Sequence, residues 1–299
     1  METKTEQKAL KVGNITVGGV PGERPTVLIG SIFYKGEKVF IDEENGLFDK
    51  DKAESLIKRQ EEFSDRTGNP HIVDVVLSKA DIASRLVEFV CNRTSAPIAI
   101  DVPSKEIGTE VLRYIKEVGL SHPFIYNSFK PYSDLDEIRM VKDAGCEASI
   151  VLAYNQKDLF TVKGRLEATR EAVDKARSIG LGTLLIDTCV IDLPTLGPAL
   201  EAIKLVKDEL GLPAGCGAHN AVSLWRGLST KMGQQAVAPC EASSVAVSVI
   251  VGSDFVLYGP IENAPIAFPA AAMMDVALSQ NRVEKGIRIS RQHPRYRIG

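Results

Sequence analysis

The sequence predicts an α/β protein in which eight strand-then-helix units close into a (β/α)8 barrel, and three observations predict it. Short apolar runs recur along the chain, each bounded by Gly, Pro or polar residues. The runs are continuous rather than alternating, as strands buried on both faces of a parallel sheet require. Charged amphipathic stretches separate them, and eight such units in 299 residues is the size of one barrel, so 1–299 is expected to form a single domain.

Leu10–Val12 and Ile15–Val17, around Gly13-Asn14, read as a short N-terminal hairpin. The strand runs follow at Thr26–Ile32, Ile72–Leu77, Pro97–Ile100, Pro123–Tyr126, Ala148–Ala153, Thr183–Ile186, Ala214–Ala218 and Phe255–Tyr258. The seventh is weak by composition and rests on its place in the series. Helices are expected over Asp49–Thr67, Ile82–Val90, Glu106–Val118, Asp134–Ala144, Thr161–Ile179, Thr195–Leu210, Ala221–Gly233 and Asn263–Arg282. Ser104 and Ser133 are placed to cap the third and fourth of these. An open doubly wound sheet is the rival, but no GxGxxG follows the first strand, where Gly30-Ser-Ile-Phe33 runs into a polar loop.

Composition narrows the class. Hydrophobic residues make up 44% and charged residues 25%, enough to bury a large core. Lys plus Arg is 36 against 39 for Asp plus Glu, a net charge of −3 that disfavours a nucleic-acid partner. The five Cys are scattered without a CxxC pair, so neither a disulfide framework nor a four-cysteine zinc module is indicated. The polar start METKTEQKAL lacks a signal-peptide core, and the most apolar stretches, Ala242–Gly252 and Ala264–Leu278, are too short to span a bilayer. A cytoplasmic protein without a direct membrane span is expected.

In a barrel the chemistry sits where strands end on the C-terminal face. Four ends carry polar groups: Asp101, Asn127, Asp187 and, in Cys-Gly-Ala-His-Asn220, a carboxamide. Each such residue also serves commonly as an ordinary cap. As a set, two carboxylates and two carboxamides suit the 2-amino-4-oxo edge of a pterin, where a carboxylate accepts two adjacent N–H groups. A sugar or amino acid could engage the same groups. No Lys stands at a strand end, which excludes a Schiff-base aldolase.

Four segments carry a resemblance: Pro25-Thr-Val-Leu-Ile-Gly-Ser-Ile-Phe33, Thr67-Gly-Asn-Pro70, Ile125-Tyr-Asn-Ser128 and Asp254-Phe-Val-Leu-Tyr-Gly-Pro-Ile-Glu-Asn-Ala264. Through them, over nearly its whole length, the chain resembles the H-subunit family of tetrahydromethanopterin S-methyltransferase and its stand-alone methylcobalamin:tetrahydrofolate relatives. Ile125-Tyr-Asn-Ser128, Leu185-Ile-Asp187 and Gly217-Ala-His-Asn220 are more distantly similar to methyltetrahydrofolate:corrinoid methyltransferases. The resemblance implies a pterin-binding TIM barrel and transfer of a methyl group between a corrinoid and N5 of tetrahydrofolate. Tetrahydromethanopterin, within a larger complex, is the alternative pterin; a non-catalytic pterin-presenting subunit is the non-enzymatic alternative. By resemblance Asp101, Asn127 and Asp187 hold the ring and Asn220 lies near N5, with Asn220 and Asp101 as the catalytic candidates. Ser31, His219 and Asn263 are weaker pterin contacts. The resemblance also implies a homodimer and cobalamin carried by a separate corrinoid protein. Dihydropteroate synthases share the barrel but carry an Arg/Lys-rich seventh strand end, unlike His219-Asn220-Ala-Val-Ser here.

Cys216 and His219 have Cys-x-x-His spacing, but only Cys189 and Cys240 stand near enough to complete a zinc site, so no protein-bound metal is expected. Trp225 is expected either in a helix core or against the corrinoid partner.

Overall fold

The computed structural model describes residues 4–298. Two strands, β1 (Ala9–Val12) and β2 (Ile15–Gly18), form the expected antiparallel hairpin. The barrel begins with β3 (Val27–Ile32). A second hairpin, β4 (Phe40–Asp42) and β5 (Leu47–Phe48), is inserted in the loop that follows. The other barrel strands are β6 (His71–Val76), β7 (Ile98–Asp101), β8 (Phe124–Phe129), β9 (Ala148–Leu152), β10 (Leu184–Asp187), β11 (Ala214–Cys216) and β12 (Phe255–Pro260). All eight pair in parallel and in chain order, with β12 returning to β3 to close the barrel. The alternating α/β reading thus holds strand by strand.

Helices α1 (Lys50–Thr67), α2 (Ala80–Cys91), α3 (Lys105–Val118), α4 (Leu135–Asp143), α5 (Val162–Ser178) and α6 (Leu193–Leu210) follow the first six barrel strands. Ser104 caps α3 as expected, accepting from the Ile107 amide. The cap of α4 is Asp134, which accepts from Glu137 N, whereas Ser133 accepts from Lys130 N in the preceding turn. Asp134 lies adjacent to the first helical turn and adds a favourable negative charge to the helix N-terminus, so it displaces the serine.

The region after β11 departs most from expectation. The helix expected over 221–233 is two short pieces, α7 (Asn220–Ser223) and α8 (Leu228–Met232), separated around Gly227 and stopped at Gly233. A separate helix, α9 (Val237–Ile250), then packs against α10 (Ala264–Val283). The apolar stretch that begins at Ala242 is mostly the second half of α9. A final turn, α11 (Pro294–Arg297), lies against α1 and α10. Ala270, Ala271 and Ala272 are buried within α10.

Two cores result. The larger joins the outward faces of the strands to the helices. The smaller fills the barrel with Val27, Ile29, Ile72, Ala99, Ile125, Ile150, Leu185 and Phe255, alternate residues of the strands. Val12 and Val17 of the hairpin belong to this inner core, so β1–β2 plugs the N-terminal end. A Cβ added at Gly13 or Gly18 would meet Pro123 or Pro213, which precede β8 and β11. Above the apolar layers the same inward alternation delivers Ser31, Asp74, Asp101, Asn127 and Asp187 to the C-terminal mouth.

Candidate functional site

The mouth is built around three carboxyl groups. Asp187 ends β10, sits 7% exposed, and accepts from the Cys189 amide at 2.8 Å. The Gly217 amide adds a second bond. Burial nevertheless pushes its carboxyl up to about 6, with Arg165 opposing that rise. Asp101 ends β7, paired in register with Asn127 on β8. No hydrogen bond among the described residues engages the Asp101 side chain. Burial raises it well above the usual carboxylate range, Asp74 and Asp187 add to the rise, and Lys130 opposes it. A carboxyl so placed keeps its proton to higher pH than an exposed one does.

The third carboxyl, Asp74 on β6, was not among the sequence candidates. It is 1% exposed and accepts from Ser31 Oγ at 2.7 Å and from Asn127 Nδ2 at 3.0 Å. Burial pushes it up to about 6, against the two hydrogen bonds. The one signal in the sequence is that Ile72-Val-Asp-Val-Val-Leu77 places a carboxylate inside an otherwise apolar strand rather than at its end. Such a group is tolerated inside a barrel only at the polar end of the lumen or with hydrogen bonds to satisfy it. Ser31 and Asn127 are therefore joined through Asp74, and Ser31 acts as its donor at the base of the mouth.

Asn220 opens α7, directly after β11. Its Nδ2 donates to the Val190 carbonyl at 2.9 Å, which ties it to the loop after β10, the strand that carries Asp187. No hydrogen bond among the described residues occupies its Oδ1. His219 turns aside. Its Nδ1 lies 3.2 Å from the Leu257 carbonyl, and its ring packs where a Cβ on Gly259 would approach to 2.7 Å. A carbonyl only accepts, so Nδ1 carries the proton and Nε2 is the bare acceptor. Burial lowers the ring's pKa and keeps it neutral. Asn263 is also held elsewhere, its Nδ2 donating to Glu241 Oε1 on α9 at 3.2 Å.

The backbone around the mouth is strained at two non-glycine residues. Cys189, two residues beyond Asp187, has φ 63°, and Phe33, just past β3, has φ 66°. Such conformations cost on the order of 1 kcal/mol or more and cluster at functional sites. The Phe33 amide donates to the buried Glu37, whose carboxyl burial raises to about 8.

Cys216 does not join His219. It lies buried on β11 with its Sγ 3.6 Å from Ser248 Oγ. Among the described residues no group of three His, Cys, Asp or Glu side chains is arranged to hold a metal ion. Trp225 is 42% exposed, so its core reading is corrected; it stands in the loop between α7 and α8, on the side of the mouth. No helix among the described residues is long and apolar enough to cross a membrane.

Comparison with known proteins adds two findings. Among solved structures, dihydropteroate synthase from Yersinia pestis with a pterine-sulfa conjugate superposes with a TM-score of 0.62 at 12% identity, covering 92% of this chain and all of that one. The Thermus thermophilus synthase complex gives 0.57 at 15% identity, over 89% of this chain and 99% of that one. These share the fold. In sequence, the family model described as the tetrahydromethanopterin S-methyltransferase MtrH subunit matches residues 5–290. The H subunit of tetrahydromethanopterin S-methyltransferase from Methanothermobacter marburgensis is 40% identical over 98% of both chains. That of Methanopyrus kandleri is 34% identical over 94% of both chains. The chain belongs to the MtrH family, the H subunits of tetrahydromethanopterin S-methyltransferase.

Proposed function

We propose that the mouth binds a reduced pterin and that the chain transfers a methyl group between its N5 and a cobalt carried by a corrinoid protein. The observation that carries this reading is the convergence of Asp74, Asp101, Asn127 and Asp187 on one rim, where the Asp101 carboxyl accepts no hydrogen bond among the described residues. The pterin edge presents adjacent N–H groups, and ionised Asp187 accepts both in a bidentate contact. Asn127, held by Asp74, offers its carbonyl oxygen to a donor of the same ring.

A corrinoid supplies a cobalt able to give or take a methyl group when its carrier docks. The residues of this chain do the rest. Loss of the methyl group leaves N5 a poor leaving group unless it is protonated or strongly hydrogen-bonded. Asp101, whose proton burial and the neighbouring carboxylates help to retain, is the candidate donor in the mouth. Asn220, its Nδ2 fixed by Val190, directs its amide at N5 without ionising, so it serves both directions of transfer. Most of the acceleration is then positioning of one cofactor against the other.

Tetrahydrofolate was the pterin expected from sequence. The relatives' names favour the alternative, tetrahydromethanopterin, with the chain as a subunit of a larger assembly. The two share the ring edge, so the mouth serves either. In this reading residues 1–299 act as one pterin-binding unit in the cytoplasm and as a homodimer that receives its cobalt from a partner. The test is calorimetric titration with each pterin, followed by a methyl-transfer assay with free methylcobalamin. Tighter binding of tetrahydromethanopterin together with turnover is the expected result. Absence of binding by both pterins refutes the function, and binding without turnover leaves a pterin-presenting subunit.

A further inference from the structure

Arg165, on the first turns of α5, is 1% exposed and forms no ion pair among the described residues. Its guanidinium is spent on three carbonyls. Nε donates to Thr188 O at 2.8 Å, Nη2 to Cys189 O at 3.0 Å and Nη1 to Thr161 O at 3.1 Å. A buried cation with no carboxylate in direct contact is costly, and an apolar side chain would pack the same space without that cost. Two of its three acceptors belong to the turn that follows Asp187. That turn contains Cys189 with its positive φ, and the Cys189 amide is the donor to Asp187 Oδ1.

We infer that Arg165 positions Asp187: its fork holds the strained Thr188–Cys189 turn by both carbonyls, which delivers the Cys189 amide to the carboxylate and sets a fixed positive charge behind it. Resting on the pterin reading of the mouth, this gives the buried cation a task. The groups that face Asp187 are Asp101 from β7, Cys189 from its own loop, Cys216 from β11 and Arg165 from α5; β9 contributes Leu152 in register. Arg165 is the one cation among them, so its removal takes away the positive charge that, beside the Cys189 and Gly217 amides, opposes the effect of burial on Asp187.

The experiment titrates tetrahydromethanopterin and tetrahydrofolate into the parent, Arg165→Gln and Arg165→Lys over about pH 5 to 8, taking the tighter pterin for comparison. Parent affinity falls as acid protonates Asp187, and Arg165→Gln moves the midpoint of that fall upward by about one pH unit. Arg165→Lys keeps the charge but cannot bridge two carbonyls, so its midpoint stays near the parent's while affinity drops several-fold. A loss of fold alone would lower the competent fraction without moving the midpoint. An Arg165→Gln midpoint equal to the parent's overturns the assignment while leaving the pterin reading intact. If Arg165→Gln does not fold, Arg165→Lys decides, and parental affinity there overturns it. A parent that binds neither pterin refutes the function and this assignment together.

Discussion

The two ends of the barrel both carry carboxyl groups, and they differ in how fully neighbouring donors engage them. At the plugged N-terminal end Asp254 is held by Lys207 Nζ at 2.5 and 2.6 Å and by the Ala214 amide at 2.9 Å. Asp275 at that end accepts from Thr26 N, Thr26 Oγ1 and Asn69 Nδ2. At the mouth Asp101 has no hydrogen-bond partner among the described residues, Asp187 has two backbone amides, and Asp74 and Asp187 both raise Asp101. Buried carboxyls engaged on every side by neighbouring donors close a structure. A carboxyl left without a donor, beside two others at a strand-end face, marks where binding energy is still to be gained.

Breaking the closed end has the largest expected effect. Lys207→Met leaves Asp254 buried and unpaired, and denaturant unfolding should show a loss of about 3–5 kcal/mol with pterin affinity unchanged. A loss below about 1 kcal/mol would mean that this pair is not what anchors the plug. At the mouth the order reverses. Asp187→Ala should cost up to about 3 kcal/mol of pterin binding, because donors of the ring lose a charged acceptor, while the melting temperature holds. Equal affinity by calorimetry removes Asp187 from the ring contacts.

Asp74→Asn extends the contrast through pH. A folded-state carboxyl raised to about 6 keeps a proton that the unfolded chain releases near 4, so its contribution to stability falls as pH rises between those values. The variant should match the parent below about pH 4 and exceed it by about 2–3 kcal/mol above about pH 7. A constant difference across that window would show that Asp74 does not titrate there. The smallest effect belongs to Asn220→Ala, for which a roughly tenfold slower methyl transfer, about 1.4 kcal/mol, is expected at little cost in pterin affinity. An unchanged single-turnover rate excludes Asn220 from the transfer step.

The barrel was legible because each strand is a continuous apolar run and each helix an amphipathic one. Asp101, Asn127 and Asp187 were legible because they end those runs. Asp74 was hidden inside one: its strand is apolar on both sides of it, and only the inward alternation of a closed barrel separates it from Val73 and Val75. The same blindness affected the region after β11. Val237–Ile250 is apolar around most of its circumference and lacks the one-sided stripe that announces a surface helix. Arg165 was unreadable for a different reason. An arginine among the charged residues of a helix resembles any solvated one, and its burial depends on a turn 23 residues away.

If the under-satisfied end of the barrel is the pterin site, a crystal of the chain soaked with tetrahydromethanopterin or tetrahydrofolate will hold the ligand there. The ring should lie in the mouth, with its amino edge within hydrogen-bond distance of Asp187 and N5 beside Asn220. A pterin bound outside the mouth, or in the mouth with its amino edge turned away from Asp187, would contradict that assignment.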